Sequence, residues 1–194
     1  MIGIIDYGMG NTRSVQKAIE FLGERAEISG KISALDKCSR LILPGVGSFG
    51  AGIENLRAAR LAEYILSRVH DTPVLGICLG MQFLLDASEE AGKHAGLGLI
   101  GGTSTRFTAG KIPHMGWNSV YGLKSPLFNG IGDGAQFYFV HSYRAKVTAD
   151  TIAVSDYYGE FSAAIGCGNA YGVQFHPEKS GEAGLCLLKN FMRL

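Results

Sequence analysis

The stretch Pro73-Val74-Leu75-Gly76-Ile77-Cys78-Leu79-Gly80-Met81-Gln82 decides how the chain is read. Four apolar or small residues lead into a single cysteine, and apolar positions at Leu79, Met81, Phe83, Leu84 and Leu85 continue beyond it in a helical pattern. The pattern predicts a strand, a sharp turn and a helix, with Cys78 at the apex in a thiol version of the nucleophile elbow. Gly76 and Gly80 bracket the cysteine, so strand and helix can pack closely around it. A strained turn lifts the side chain clear of the sheet, and a helix starting beside the sulfur offers unpaired amides and a positive dipole end that favour thiolate over thiol. These features suit a nucleophile; a buried core cysteine is the plain alternative.

The segment Tyr171-Gly172-Val173-Gln174-Phe175-His176-Pro177-Glu178 tips the balance. Side chains alternate along an extended strand, so His176 and Glu178 are expected on one face, with Pro177 at the strand's end. That spacing places a carboxylate where it can orient an imidazole. A cysteine, a histidine and an acid distant in sequence form the general arrangement for covalent acyl transfer. Of the five histidines, only His176 has a carboxylate two residues on, and none forms a His-x-x-x-His pair that would suggest a metal.

Gly76-Ile77-Cys78-Leu79-Gly80-Met81-Gln82, taken with Phe175-His176-Pro177-Glu178, resembles the class I, triad-type glutamine amidotransferases. Asp6-Tyr7-Gly8-Met9-Gly10-Asn11, Pro44-Gly45-Val46-Gly47-Ser48-Phe49, Pro113-His114-Met115-Gly116-Trp117-Asn118 and Tyr138-Phe139-Val140-His141-Ser142-Tyr143 extend the resemblance over the whole chain. Within the family these blocks are most similar to the glutaminase subunits of imidazole glycerol phosphate synthase in histidine biosynthesis. The resemblance implies an α/β, flavodoxin-like three-layer fold, with a mostly parallel central sheet and a more antiparallel C-terminal half, in one domain over residues 1–194. It implies Cys78 as nucleophile, His176 as base and Glu178 as its orienting acid. The amides of Val46 and Leu79 would form an oxyanion hole, since glycines on both sides of Val46 let that peptide rotate. Gly47, Gln82, Ser142 and Tyr143 would line the glutamine pocket.

The same resemblance implies a partner, a (βα)8-barrel cyclase that receives the ammonia within a heterodimer and forms imidazole glycerol phosphate with an aminoimidazole carboxamide ribotide. Asn11, Trp117, Asn118, Tyr138 and Lys179 lie in motifs that face the cyclase in the family. No cofactor is required for the glutaminase reaction. The alternatives are a glutaminase subunit of a surface-sugar paralogue or of anthranilate or aminodeoxychorismate synthase, and a catalytically silent interaction subunit. Intact Cys78, His176 and Glu178 count against the last.

Composition bounds the rest. The 194 residues, 46% of them apolar, can bury a sizeable core and contain no low-complexity tract. Eighteen basic and seventeen acidic residues leave a net charge of +1, without the basic run that nucleic-acid binding requires. Cys38, Cys78, Cys167 and Cys186 are too scattered for a Cys-x-x-Cys zinc or redox site. The N-terminus enters a strand with no charged leader or long apolar segment, so no membrane association and a reducing cytoplasm are expected.

Periodicity predicts a first strand over 1–6, a helix over 12–22 with Asn11 as N-cap, a weak strand over 24–29, a strand over 40–43, and helices over 53–59 and 61–69. Gly8-Met9-Gly10 lacks the third glycine of a dinucleotide loop, since Arg13 stands there. Alternating strands and helices imply a parallel sheet with its site at the carboxyl edge. Beyond Ser88, a glycine-rich stretch over 92–102 precedes strand-like segments over 103–107, 117–121, 136–145, 151–155, 162–167 and 170–175. A closing amphipathic helix is expected over 182–194.

Overall fold

A computed structural model describes residues 1–194. The first half runs β1 (Ile2–Ile5), α1 (Thr12–Phe21), β2 (Ala26–Ser29), α2 (Ile32–Leu35), β3 (Arg40–Gly45), α3 (Phe49–Ala58), α4 (Leu61–Arg68) and β4 (Val74–Cys78). The second half runs α5 (Leu79–Leu84), β5 (Leu85–Ser88), β6 (His94–Ala95), β7 (Ile100–Arg106), β8 (His114–Val120), β9 (Ala135–His141), β10 (Tyr143–Ala145), β11 (Thr151–Asp156), β12 (Glu160–Cys167), β13 (Ala170–Val173) and α6 (Gly181–Phe191). The central sheet has seven strands in the order β11-β12-β13-β4-β3-β1-β2. Strands from β2 to β13 pair in parallel, and β12 and β11 add antiparallel pairs at the far edge.

Strand alternation sorts the core onto the two faces of this sheet. Ile2, Ile4, Ile42, Leu75 and Ile77 pack with Val15 and Ile19 of α1 and with Leu187, Leu188 and Phe191 of α6. Ile5, Leu41, Leu43 and Val74 face the other way, against Ile53 of α3, Ile65 of α4, and Leu79, Met81 and Phe83 of α5. Both faces are covered, which is why β1 and β4 read as unbroken runs of buried residues. The three layers are those the resemblance implies.

The second half departs from a single mixed sheet. β10, β7, β5 and β6 form a separate four-stranded sheet, and β8 with β9 forms a two-stranded ribbon. The glycine-rich stretch over 92–102 contains β6 and the start of β7. The helical stripe after Cys78 is shorter than its spacing suggests, because Leu85 turns extended, with ψ 170°, and opens β5, which pairs in parallel with β7. Six residues cannot hold a helix alone. α5 persists because Leu79, Met81, Phe83 and Leu84 are buried, each contributing roughly 1.5–3 kcal/mol.

Two further expectations are corrected. Asn11 stands at the N-cap of α1 but makes no side-chain capping bond; its amide reaches Glu178 Oε1 instead, at 3.4 Å. The strand before His176 ends at Val173, and Pro177–Lys179 is a 3₁₀ turn. His176 and Glu178 therefore meet across a turn and not along one face of a strand.

Candidate active site

Cys78 is the last residue of β4 and has φ 55° and ψ −109°. A non-glycine residue in that region costs on the order of 1–3 kcal/mol and persists only where its surroundings over-determine it. Here the surroundings are three backbone contacts. A Cβ on Gly80 would strike the Leu43 carbonyl oxygen, one on Gly76 would lie 2.5 Å from the Gly80 oxygen, and one on Gly45 would lie 2.6 Å from the Gly80 nitrogen. β3, β4 and α5 thus close on one another at glycine distance, and the cysteine is turned out at their junction. With α5 only six residues long, no extended helix dipole stands behind the sulfur, whose polar contacts are the Val140 carbonyl at 3.8 Å and the Gln174 amide at 3.7 Å.

His176 follows β13, the strand beside β4, and its side chain is 2% exposed. Its Nδ1 bonds Glu178 Oε1 at 2.9 Å, and the Glu178 side chain is itself 1% exposed. A carboxylate accepts, so the proton sits on Nδ1 and the pair fixes the ring's orientation. Nε2 is buried without a hydrogen-bond partner, and it borders the same cavity as Cys78. Burial alone would lower the pKa of His176. Interaction with Cys78, then with Glu178, outweighs burial and pushes it up to about 10. The Cys78 contact is close enough for this charge coupling yet lacks the geometry of a formed hydrogen bond.

A cavity of about 410 Å³ opens above the sulfur. Val46, Gly47, Leu79, Gln82, Ser142 and Tyr143 line it together with Cys78 and His176, whereas Glu178 stands behind the imidazole. Val46 is 42% exposed between Gly45 and Gly47, and Gly47 has φ 100°, a conformation that suits glycine. Tyr7 anchors the entry to this loop by donating its hydroxyl to the Pro44 carbonyl at 2.9 Å. Both hydrogens of the Gln82 amide go inward, to the Tyr143 carbonyl at 3.2 Å and to Gln174 Oε1 at 3.0 Å. Only its Oε1 is left for a ligand.

The comparisons with known proteins fit this geometry. Residues 3–194 match the family described as glutamine amidotransferase class-I. The chain belongs to that family. It is 50% identical over 198 residues to the imidazole glycerol phosphate synthase subunit HisH of Methanocaldococcus jannaschii, covering all of both chains. It is 45% identical over 202 residues to the subunit of the same name from Thermococcus kodakarensis, again covering all of both. Among solved structures it is similar to PurLQS from Thermotoga maritima, with TM-score 0.77 and 22% identity over 99% of this chain and 97% of that one. A putative GMP synthase protein from Thermoplasma acidophilum gives TM-score 0.76 and 22% identity over 99% and 92%. These last two likenesses speak to the fold.

In this glutamine amidotransferase the cavity also takes in residues that sequence reasoning passed over. Glu90 lines it while one carboxylate oxygen accepts the Phe49 amide, the first of α3, at 2.7 Å. Val140, His141 and Pro113 complete its wall. Glu90 lies in an ordinary Ser-Glu-Glu run, and only the turn after β5 brings it here, so no local signal marks it. Together, the Glu90 carboxylate, Gln82 Oε1 and the Ser142–Tyr143 corner suit an α-amino acid whose side chain reaches the sulfur.

The residues expected to face a partner divide. Trp117 is 57% exposed and packs edge-on against Tyr138, its cross-strand neighbour, with ring centroids 6.2 Å apart; the Lys179 ammonium lies 5.9 Å from the Tyr138 ring. These three form one surface cluster. Its backbone reaches the turn that carries His176, since His176 N–H donates to the Tyr138 carbonyl at 2.9 Å and Tyr138 N–H donates to Ser180 Oγ at 3.0 Å. Asn11 joins it through Glu178. Asn118 turns elsewhere, donating to the Asp156 carbonyl at 2.9 Å and to His114 at 3.2 Å. No helix is long and apolar enough to cross a membrane.

Proposed function

We propose that the chain hydrolyses L-glutamine to glutamate and ammonia through a thioester on Cys78, and passes the ammonia to a cyclase subunit of imidazole glycerol phosphate synthase. The thiolate attacks the side-chain amide carbon, and the negative oxygen that forms is held by the Val46 and Leu79 amides. His176 gives its Nε2 proton to the departing ammonia. Water then attacks the thioester, its proton passes to His176, and glutamate leaves. Glu178 keeps the Nδ1 proton in place through both steps. Glu90 receives the substrate ammonium, while Gly47, Ser142 and Tyr143 hold its carboxylate end. One observation carries the reading: a buried imidazole, bonded by Glu178 at 2.9 Å through Nδ1, leaves its Nε2 unpartnered beside Cys78.

Full-length relatives named as subunits of the synthase support a partner. In our reading it is a (βα)8 barrel, docked on the Trp117–Tyr138–Lys179 cluster in a cytoplasmic heterodimer. A free glutaminase would waste glutamine, so the Val46 peptide is read as the switch. One missing oxyanion donor costs roughly 10²–10³ in rate. The reading is tested by glutamate release from the chain alone, with the cyclase, and with the cyclase plus its nucleotide ligand. Turnover should rise at each step; equal rates in all three states would remove the switch, and no glutamate in any state would remove the function.

A further inference from the structure

The Tyr143 carbonyl accepts two hydrogen bonds, from His141 Nδ1 at 2.8 Å and from Gln82 Nε2 at 3.2 Å. A carbonyl can only accept, so this one oxygen sets the direction of everything attached to it. Outward, His141 carries its proton on Nδ1 and accepts through Nε2 from His114 Nδ1 at 2.9 Å; His114 Nε2 then accepts from Asn118. Both imidazoles are held neutral by burial, which pushes His141 down to about 3 and His114 to about 4. Inward, Gln82 must turn its NH2 group to the carbonyl, and its second hydrogen meets Gln174 Oε1. The Gln174 amide nitrogen is thereby left pointing at Cys78 Sγ, 3.7 Å away. Flipping Gln82 would set its oxygen against the Tyr143 and Gln174 oxygens, and flipping Gln174 would set nitrogen against nitrogen and turn its oxygen to the sulfur.

Gln174 is fully buried and has no access to solvent. Its neighbour on the sulfur is the Val140 carbonyl at 3.8 Å, which can accept from a thiol but repels a thiolate. The amide does the reverse. The titratable groups around the sulfur are His176, with Glu178 behind it, and Tyr7, which burial and then the Cys78 charge keep protonated, while Glu90, His141 and Tyr143 share the cavity wall. We propose that Gln174 is a positioning residue for the nucleophile: its amide, locked in the donor orientation through Gln82 by the Tyr143 carbonyl, donates to the Cys78 sulfur and holds it as a thiolate aimed into the cavity. This rests on Cys78 being the nucleophile of glutamine hydrolysis.

The test is the pH profile of Cys78 alkylation by iodoacetamide, read by peptide mass spectrometry on the intact chain, with exposed Cys167 as internal reference. Gln174→Leu removes the donor at similar size. It should move the Cys78 profile to higher pH and slow alkylation about tenfold at neutral pH, the scale of a lost hydrogen bond to a charged group, with Cys167 unchanged. In the complex, kcat should fall and KM should hold. Gln174→Met also lacks the donor, offers a second variant if leucine does not fold, and should slow Cys78 in the same way. Gln82→Leu should act in the same direction, and the double variant should be no slower than the worse single one, because both break one chain. A folded Gln174→Leu or Gln174→Met protein with the parental Cys78 profile overturns the proposal. Cys78→Ser separates the two claims: if it still turns over glutamine, the nucleophile assignment fails, whereas an inactive Cys78→Ser with an unchanged Gln174→Leu profile overturns only the role of Gln174.

Discussion

Cys78 is fixed where β3, β4 and α5 meet at backbone distance, with three glycines leaving no room for a side chain. His176 sits on a turn anchored by hydrogen bonds to Glu178, Tyr138 and, through its own carbonyl, Ser180 Oγ at 2.6 Å. The first arrangement is set by packing and does not adjust; the second is set by polar contacts that a neighbouring surface can reach. It follows that substitutions of the elbow glycines should damage the fold, while those of Cys78 or around the histidine should damage the rate of a protein that still folds.

The largest effects are expected at the groups proposed to react. Cys78→Ser and His176→Ala should each lower glutamine-dependent turnover by on the order of 10⁴- to 10⁶-fold, the range for removing a nucleophile or its base. Ammonia-dependent synthesis by the partner should persist in both, measured with ammonium salts in place of glutamine. Glu178→Gln should cost roughly 10–100-fold less than His176→Ala, because it orients and supports charge without transferring the proton. Equal losses would mean that the acid does more than orient.

Gly80→Ala sharpens the contrast from the packing side. Its methyl group would meet the Leu43 carbonyl, so urea denaturation should show a loss of about 3 kcal/mol or more, at the upper end for overpacking. A well-folded Gly80→Ala protein that has lost only activity would show that packing at this glycine does not hold the elbow. Tyr7→Phe removes the bond to the Pro44 carbonyl and should cost about 1 kcal/mol in the same assay.

The mildest test is a titration. His176 has its pKa raised to about 10, above the ordinary histidine value of about 6.5. Its contribution to stability is therefore fully present below about pH 6.5 and is lost as pH rises through about 10. Cys78→Ala removes the leading favourable interaction, so the His176 ring resonances should titrate at lower pH by NMR, and this pH-dependent stabilisation should shrink. An unmoved titration would show that Cys78 and His176 are not coupled.

The elbow was legible because its signal is local: apolar strand, glycine, cysteine, glycine and helix lie within ten residues. The parallel half of the sheet followed from the same kind of pattern. The four-stranded sheet was not, since β5 and β7 pair across a long excursion and strand propensity carries no information on partners. His176 and Glu178 are close because a proline-started 3₁₀ turn brings them together, a geometry that shares its two-residue spacing with a strand. Glu90 and Gln174 could not be assigned from sequence. One depends on where a turn lands, and the other on a chain of hydrogen bonds whose direction is decided 31 residues away in sequence, at the Tyr143 carbonyl.

Cys78, alone among four free cysteines, is proposed as the nucleophile for glutamine. This assignment is tested most directly by treating the assembled enzyme with a glutamine analogue bearing an electrophilic diazoketone at the amide position, then mapping the adduct by mass spectrometry. One adduct per chain is expected, on Cys78, blocked by excess glutamine and matched by loss of glutaminase turnover. Modification of Cys167, Cys186 or Cys38 at a comparable rate, or loss of turnover with Cys78 unmodified, would contradict it.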